Sequence, residues 1–315
     1  MSSCNINTTF KNISSINNDL LLNILESNFK HYLDWSFLNI GAWFDVKISN
    51  ETIYSLNSHY KLLPVEDPSY LDGQVWQSMR KDWIWERDIS YNDSSPIAIE
   101  NIYINDSVVY SGFTIDYPNG RIIFDSPIST RSTVSLEYSY RLVQVYRAND
   151  APWFNLLQYN SFRTDSLDIK QTDNGDWSIG SYHRVQMPCI IIESVPRSRS
   201  MPYELGSGGL ILEQDIMIYI FAENKNDRNK LLDIIRVQQD GVIYLYDTNK
   251  IAQDDNYPLD YNGSLKSNPL MYPVLVENYK WRKCWFKSIN LTELSTQHPN
   301  LHSGAARITA EIIYA

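Results

Sequence analysis

Apolar positions near the start of the chain recur at helical spacing. Leu21, Leu25, Phe29 and Tyr32 fall on one helical face. Asn17 or Asn18 is placed to cap this helix, and Asp19 sits in the first turn, where the helix dipole favours negative charge. The aromatic-rich run 35–44, which includes Trp43, is expected to dock the helix onto a core or a neighbouring subunit. Residues 1–16 are polar with scattered Ile and Phe, and read as an arm that orders against something else. Residues 45–96 read as loops: Pro64 and Pro68 bracket a short stretch, Asp72-Gly73 is a turn, and Trp76, Trp83 and Trp85 follow in a cluster. Trp83 and Trp85 share a face if that stretch is extended.

From residue 97 the period becomes two. Residues 97–104 read as a strand, Asn105-Asp106-Ser107 as a turn and residues 108–110 as its return. Asn119-Gly120, between apolar runs, is a hairpin signal because both residue types tolerate positive φ. Residues 133–146 alternate as one long strand, and the phase change at Val143 and Val145 predicts a bulge. Together they predict an antiparallel β-sandwich or barrel-like module over 97–146.

Residues 147–209 are irregular, and Gly206-Ser207-Gly208-Gly209 reads as a flexible connection. The last third is clearer. Residues 210–221 predict a strand, and Asn224 or Asn226 caps a helix over about 227–239 with Leu231, Ile234 and Ile235 inward. Gly241 stops it, and residues 242–246 form the next strand. A long polar loop follows. Residues 272–289, carrying Trp281 and Trp285, read as a hairpin or bent strand, and 306–314 as the closing strand. The expected fold class is α+β: an N-terminal helix (within 1–96), the antiparallel module (97–146), a connecting region (147–209) and a sheet domain with one packed helix (210–315).

Composition narrows the function. The chain has 315 residues with 27 Lys+Arg against 37 Asp+Glu, a net charge of −10. That balance argues against a surface that grips nucleic-acid phosphates throughout. A hydrophobic fraction of 43% excludes wholesale disorder. The start lacks a basic stretch followed by an apolar run, and stretches such as 216–222 are too short to span a bilayer, so a soluble protein made in a cytosol, with no membrane partner, is expected. Cys4, Cys189 and Cys284 are scattered and read as reduced packing residues.

Catalytic patterns are missing from the sequence. It has no GxxxxGK[ST], no GxSxG and no HExxH, and the Gly206–Gly209 run lacks a lysine and leads into a strand. His298 and His302, with Glu293 nearby, have ligand-like spacing, but Pro299 makes the segment a loop, and they read as surface residues. His31, His59 and His183 are isolated, and the pairs Asp254-Asp255 and Glu66-Asp67 read as solvated. No catalytic set, metal or cofactor is expected. Trp76, Trp83 and Trp85 suit either a stacking platform for sugar rings or a core or subunit interface, and the second reading is preferred.

The stretches 102–109 and 113–124 resemble β-modules of structural proteins of tailed bacteriophages. Residues 213–223, the helix carrying Asp227-Arg228 and Leu231-Leu232-Asp233-Ile234-Ile235, and residues 242–247 resemble the small α/β domain of tail terminator and tail-completion proteins. In that family a strand leads into an Asp-Arg helix, and the sheet assembles side by side into a ring. The resemblance implies a non-enzymatic virion component at the neck or head-proximal tail end. Its partners would be copies of itself in a hexameric ring, the connector, and the tail tube or sheath, with genome DNA passing unbound through an acidic lumen. The interface candidates are Trp43, Trp76, Trp83, Trp85, Asp227, Arg228, Trp281 and Trp285, and the arm 1–16 would lie on an adjacent subunit. The alternative is a baseplate or receptor-binding protein that holds glycans through its tryptophans. A cell-wall hydrolase lacks a motif.

Overall fold

The computed structural model describes residues 15–49, 59–160, 169–172, 176–180, 183–203, 209–294 and 298–314. Residues 1–14 of the expected arm at 1–16 and residues 206–208 of the 206–209 connection lie outside them. The N-terminal part holds helix α1 (Leu21–Asn39) and strands β1 (Trp43–Val46), β2 (Lys61–Pro64) and β3 (Val75–Gln77). Then come β4 (Ile102–Ile104), β5 (Ser107–Val109), β6 (Phe113–Asp116), β7 (Arg121–Phe124), β8 (Val134–Leu136), β9 (Tyr138–Arg141) and β10 (Gln144–Arg147). The middle contributes α2 (Pro152–Asn160), β11 (Ile169–Gln171), β12 (Trp177–Ile179), β13 (His183–Val185) and β14 (Cys189–Pro202). The last third contains β15 (Leu210–Ala222), α3 (Lys225–Arg236), β16 (Val242–Tyr246), α4 (Thr248–Gln253), α5 (Tyr272–Asn278), β17 (Lys280–Glu293) and β18 (His302–Tyr314). The fold is α+β, as expected.

A six-stranded sheet in the order β10-β14-β15-β18-β17-β16 dominates the molecule. Only the β10–β14 pair is parallel. β15 reads Ile216, Ile218 and Ile220 toward one face, where they meet Ile190 and Ile192 of β14 and Ile308 of β18. Two helices cover that face. α1 supplies Leu25, Phe29, Leu33 and Phe37, and α3 supplies Leu231, Leu232 and Ile235. Buried Asn28 pins α1 to the edge strand β16. Its Nδ2 donates to the Tyr246 carbonyl (3.0 Å), and its Oδ1 accepts from the Tyr246 N–H (2.8 Å). The opposite face is apolar at one end, where Trp153, Phe154 and Leu157 of α2 and Trp177 of β12 pack on Ile191 and Phe221. Elsewhere on that face β15, β17 and β18 present Glu213, Asp215, Lys287, Arg307 and Glu311, joined in ion pairs.

The second sheet has seven strands in the order β5-β4-β8-β2-β3-β7-β6. It curls so that Ile102 of β4 and Ile122 of β7, from its two flanks, share one core with Trp76, Trp83 and Tyr138. Asn105 and Asp106 both adopt positive φ and make the two-residue turn between β4 and β5. The other hairpin closes with four residues between Asp116 and Arg121, and only Gly120 of the Asn119-Gly120 pair takes positive φ.

Several expectations change. The single strand expected over 133–146 is three: β8 belongs to the curled sheet, β9 pairs with β1, and β10 joins the six-stranded sheet. The phase change at Val143 is therefore a crossing between sheets and not a bulge. Residues 272–289 are α5 followed by β17, because Pro273 in the first turn starts a helix. The loop expected at 247–271 contains α4, capped by Asp247. α1 starts at Leu21 with no side-chain cap from Asn17 or Asn18, whereas Asn224 caps α3 as expected. The left-handed residue after α3 is Asp240 and not Gly241. Neither the 97–146 nor the 210–315 segment is a closed unit. The curled sheet recruits β2 and β3, and the large sheet recruits β10, β14 and α1.

Candidate functional site

The handover from β9 to β10 leaves Arg141 at the seam between the two sheets. Here a cavity of about 250 Å³ opens between α1, the segment 82–86 and the segment 257–275. Lys30, His31, Asp34 and Trp35 face it from successive turns of α1. Asp82, Trp85 and Glu86 line a second wall, and Tyr257, Pro258, Leu259 and Tyr272 a third.

Arg141 is the hub. Its side chain is only 6% exposed. Nη1 donates to Asp82 Oδ1 (3.0 Å) and to the Trp83 carbonyl (3.3 Å), and Nη2 donates to Glu86 Oε1. The Arg141 backbone N–H donates to the Asp82 carbonyl (3.2 Å), which fixes the strand end against the loop. Nε lies 4.0 Å from Asp34 Oδ1, within ion-pair range but too far for a hydrogen bond. Both atoms are buried without a hydrogen-bond partner.

The charges follow from that geometry. Burial pushes the Asp34 carboxyl up to about 7, although Arg141 pulls the other way. Burial also raises Glu86 against the pull of Arg141. Burial works against the charge of Arg141, but Asp82, Glu86 and Asp34 more than offset it, so the guanidinium stays charged. Burial, helped by the charges of Lys30 and Arg147, lowers His31 to about 3, so its imidazole is neutral at pH 7. Tyr246, raised by burial, keeps its proton. Its hydroxyl shares a hydrogen bond of 2.7 Å with His31 Nδ1, the imidazole tautomer setting which of the two donates.

The structure disperses the tryptophans. Trp76 and Trp83 are 1% and 0% exposed and fill the core of the curled sheet. This is the core placement that the preferred reading allowed, and it corrects their listing as interface candidates and the stacking alternative, because no ring face is left open. The Trp76 indole N–H donates to the Gly73 carbonyl (2.9 Å), and that of Trp83 to Ser78 Oγ (3.2 Å). Trp43 packs with Leu38, Ile84 and Ile89. Trp85 is half-buried on the cavity wall. Trp281 packs partly against the large core with the Arg282 guanidinium 5.2 Å from its ring centre, and Trp285 is half-buried on β17. Asp227 completes the α3 cap: its N–H donates to Asn224 Oδ1 (2.8 Å), and its carboxylate accepts from Asn224 Nδ2 (2.6 Å). Arg228 ties α3 to β17 through Glu293 Oε1 (2.6 Å). His298 packs edge-on against Trp177. Among the described residues no three His, Cys, Asp or Glu side chains gather as a metal site, and no helix is long and apolar enough to cross a membrane.

The sequence reading missed Asp34, Asp82, Glu86 and Arg141. A signal was present: each carboxylate neighbours a tryptophan, as Asp34-Trp35, Asp82-Trp83 and Trp85-Glu86. An acid beside a large aromatic is carried toward the interior when the ring packs. Compared with protein families, curated proteins and solved structures, the chain matches none.

Proposed function

We propose that the chain is a non-enzymatic assembly protein of a tailed-phage virion, at the neck or head-proximal tail end, built into a ring with copies of itself. The observation that carries this reading is the open edge of the large sheet. β10 pairs with β14 only over residues 189–192, so Ser198–Pro202 has no strand on its outer side among the described residues. Inside that edge, β15 and β18 stay paired over thirteen residues to Leu210 and Tyr314. The five-residue stretch Ser198–Pro202, which regains register with β15 after a shift between Ser194 and Ser198, is backed by two long strands and offers a template for strand addition from a neighbour. Head-to-tail contacts of this kind close into rings when the rotation between neighbours divides a full turn. Leu210, Ile313 and Tyr203, exposed near the tip, add apolar surface beside it. Each copy brings a net charge of −10, which suits a channel that phosphate backbones pass without adhering.

Mass photometry and negative-stain imaging of the purified protein, alone and mixed with tail tubes, test the reading. Closed rings with a central hole are expected, and Ser200→Pro, which breaks the edge, should reduce them to monomers with unchanged circular dichroism. A wild-type chain that stays monomeric in both settings overturns the assignment.

A further inference from the structure

The open edge of β14 has a defined hydrogen-bonding side. The Tyr203 N–H donates to the Gly209 carbonyl (2.9 Å), the pair that follows Pro202 and Leu210 in the β14–β15 register. Backbone groups alternate sides along a strand, so Met201 and Arg199 also point inward to β15, and the N–H and C=O of Ser198 and Ser200 point outward. Both serines are exposed, and among the described residues nothing bonds to those outward groups. Met201, Ile211 and Ile313 lie opposite one another on β14, β15 and β18. They form an apolar row on the open face that runs out at the edge, with Ile313 still 43% exposed.

The other edge of the sheet is a poor source of the missing strand. β16 is only five residues long, and its Tyr246 N–H and C=O are already taken by the Asn28 side chain. The N-terminal arm has the pattern of a strand. Cys4, Ile6, Thr8 and Phe10 alternate with Asn5, Asn7, Thr9 and Lys11, with no glycine or proline among them. Extended, residues 4–10 span about 23 Å, more than the Ser198–Pro202 edge requires. The described chain begins at Ser15, and Asp19 bonds through both its N–H (2.7 Å) and its C=O (2.9 Å) to the Asn249 side chain of α4, which directly follows β16. The arm therefore leaves on the β16 flank, and head-to-tail neighbours bring that flank to the next copy's β14 edge. Within one copy α1 also meets β14, where Ser194 bonds to Leu22 and Glu26, so the test must tell a copy's own arm from its neighbour's.

We propose that residues 4–10 of a neighbouring copy's arm are the strand that fills the β14 edge, pairing with the outward groups of Ser198 and Ser200 and laying Ile6 and Phe10 beside Met201. This exchange rests on the ring reading and names the segment that joins one copy to the next. Main-chain bonds to the edge give the contact its strength, and the apolar side of the arm, continuing the row from Ile313 to Met201, fixes which face it presents.

The full chain carrying Ser200→Cys, an exposed change that keeps the backbone N–H, provides the test. Cys189 and Cys284 are buried, so a short bismaleimide reaches Cys4 and the new thiol. Cross-linked dimers and a ladder up to the full ring are expected on denaturing gels. Adding Cys4→Ser, or leaving Ser200 unchanged, should abolish them. Ile6→Asp combined with Phe10→Asp sets two charges into the apolar row and should cut ring yield about tenfold with circular dichroism unchanged. Asn7→Ser, on the opposite face of the arm, should leave the yield as it is. Rings that form normally in the Ile6→Asp/Phe10→Asp protein, or that give no cross-link dependent on Cys4, overturn the role of the arm and leave the ring reading standing. A cross-link confined within single chains means that each arm fills its own edge, which overturns the exchange. A wild-type chain that forms no ring overturns both.

Discussion

The molecule holds two clusters of charge built from the same residue types in opposite surroundings. On the open face of the large sheet, Lys287 lies between Glu213 and Glu311, and Arg307 meets Asp215, which also accepts from Thr309 Oγ1 (2.9 Å). Each carboxylate there has a hydrogen-bonded partner, and the cationic side chains remain more than a third exposed. At the seam, buried Arg141 faces three carboxylates, Glu86 buried, Asp34 nearly so and Asp82 26% exposed, and Asp34 has an oxygen that nothing satisfies. Water and salt screen the first cluster, so its energy is small. The second is held by enforced proximity, and removing the guanidinium exposes the cost of the carboxylates around it. The comparison separates a surface that a partner can cover cheaply from a pocket that the fold maintains at a cost.

The largest effect is expected at Arg141. Arg141→Met keeps the volume but leaves Asp82 and Glu86 without their counter-charge. The loss should be about 3–5 kcal/mol in urea unfolding at pH 7. It should shrink at pH 5, because Asp34, held up to about 7, then takes up its proton and no longer needs the guanidinium, and burial biases Glu86 the same way. A cost at pH 7 no greater than that of breaking an open-face pair would erase the distinction between the clusters.

Asp34 gives the next effect, and its sign is opposite. Its folded-state carboxyl is raised to about 7 from an ordinary 3.8, so the folded protein holds this proton more tightly than the unfolded chain. The stability it contributes is fully present below about pH 4 and is lost as pH rises through 7. Lys30, Asp82, Glu86 and Arg141 are the charges that act on it. Asp34→Asn removes the buried anion, so the variant should match the wild type near pH 4 and exceed it by about 1–3 kcal/mol above pH 7. Parallel urea melts across that range read the difference. A variant less stable than the wild type at pH 8 would mean that the Arg141 contact outweighs desolvation.

This contrast also marks what was legible in the sequence. Period-two and period-3.6 patterns reported local burial, so β15, β16, β18 and α3 were recognisable from Leu210–Ala222, Val242–Tyr246 and the Asn224 cap. They did not report partners. Val143 broke an alternation, and only the tertiary structure shows that the chain there leaves one sheet for another. Residues 272–289 read as extended, although Pro273, as a proline in a first turn, starts a helix there. The seam cluster draws on α1, the 82–86 loop and β9, and no periodicity within one segment registers a charge balance among three. The tryptophans attracted attention because they are rare and large, yet Trp76 and Trp83 mark the core, and the polar residues beside them in sequence mark the cavity.

The smallest effect is expected on the open face, and it is the one that connects the comparison to assembly. Lys287→Ala removes the bridge between Glu213 and Glu311. In the isolated chain those carboxylates rehydrate, so the cost should be about 0.5 kcal/mol and should fade as salt is raised. Were the same face covered by a neighbouring copy, water could not reach Glu213 and Glu311, and two unpaired anions would be trapped at an interface. Monomer stability would then stay nearly constant while ring yield fell steeply. Measuring unfolding of the monomer and ring yield on the same Lys287→Ala protein separates the two cases. A small loss in both leaves this face to solvent and assigns assembly to the strand edge alone, whereas ring loss without monomer destabilisation places the charged face inside the contact.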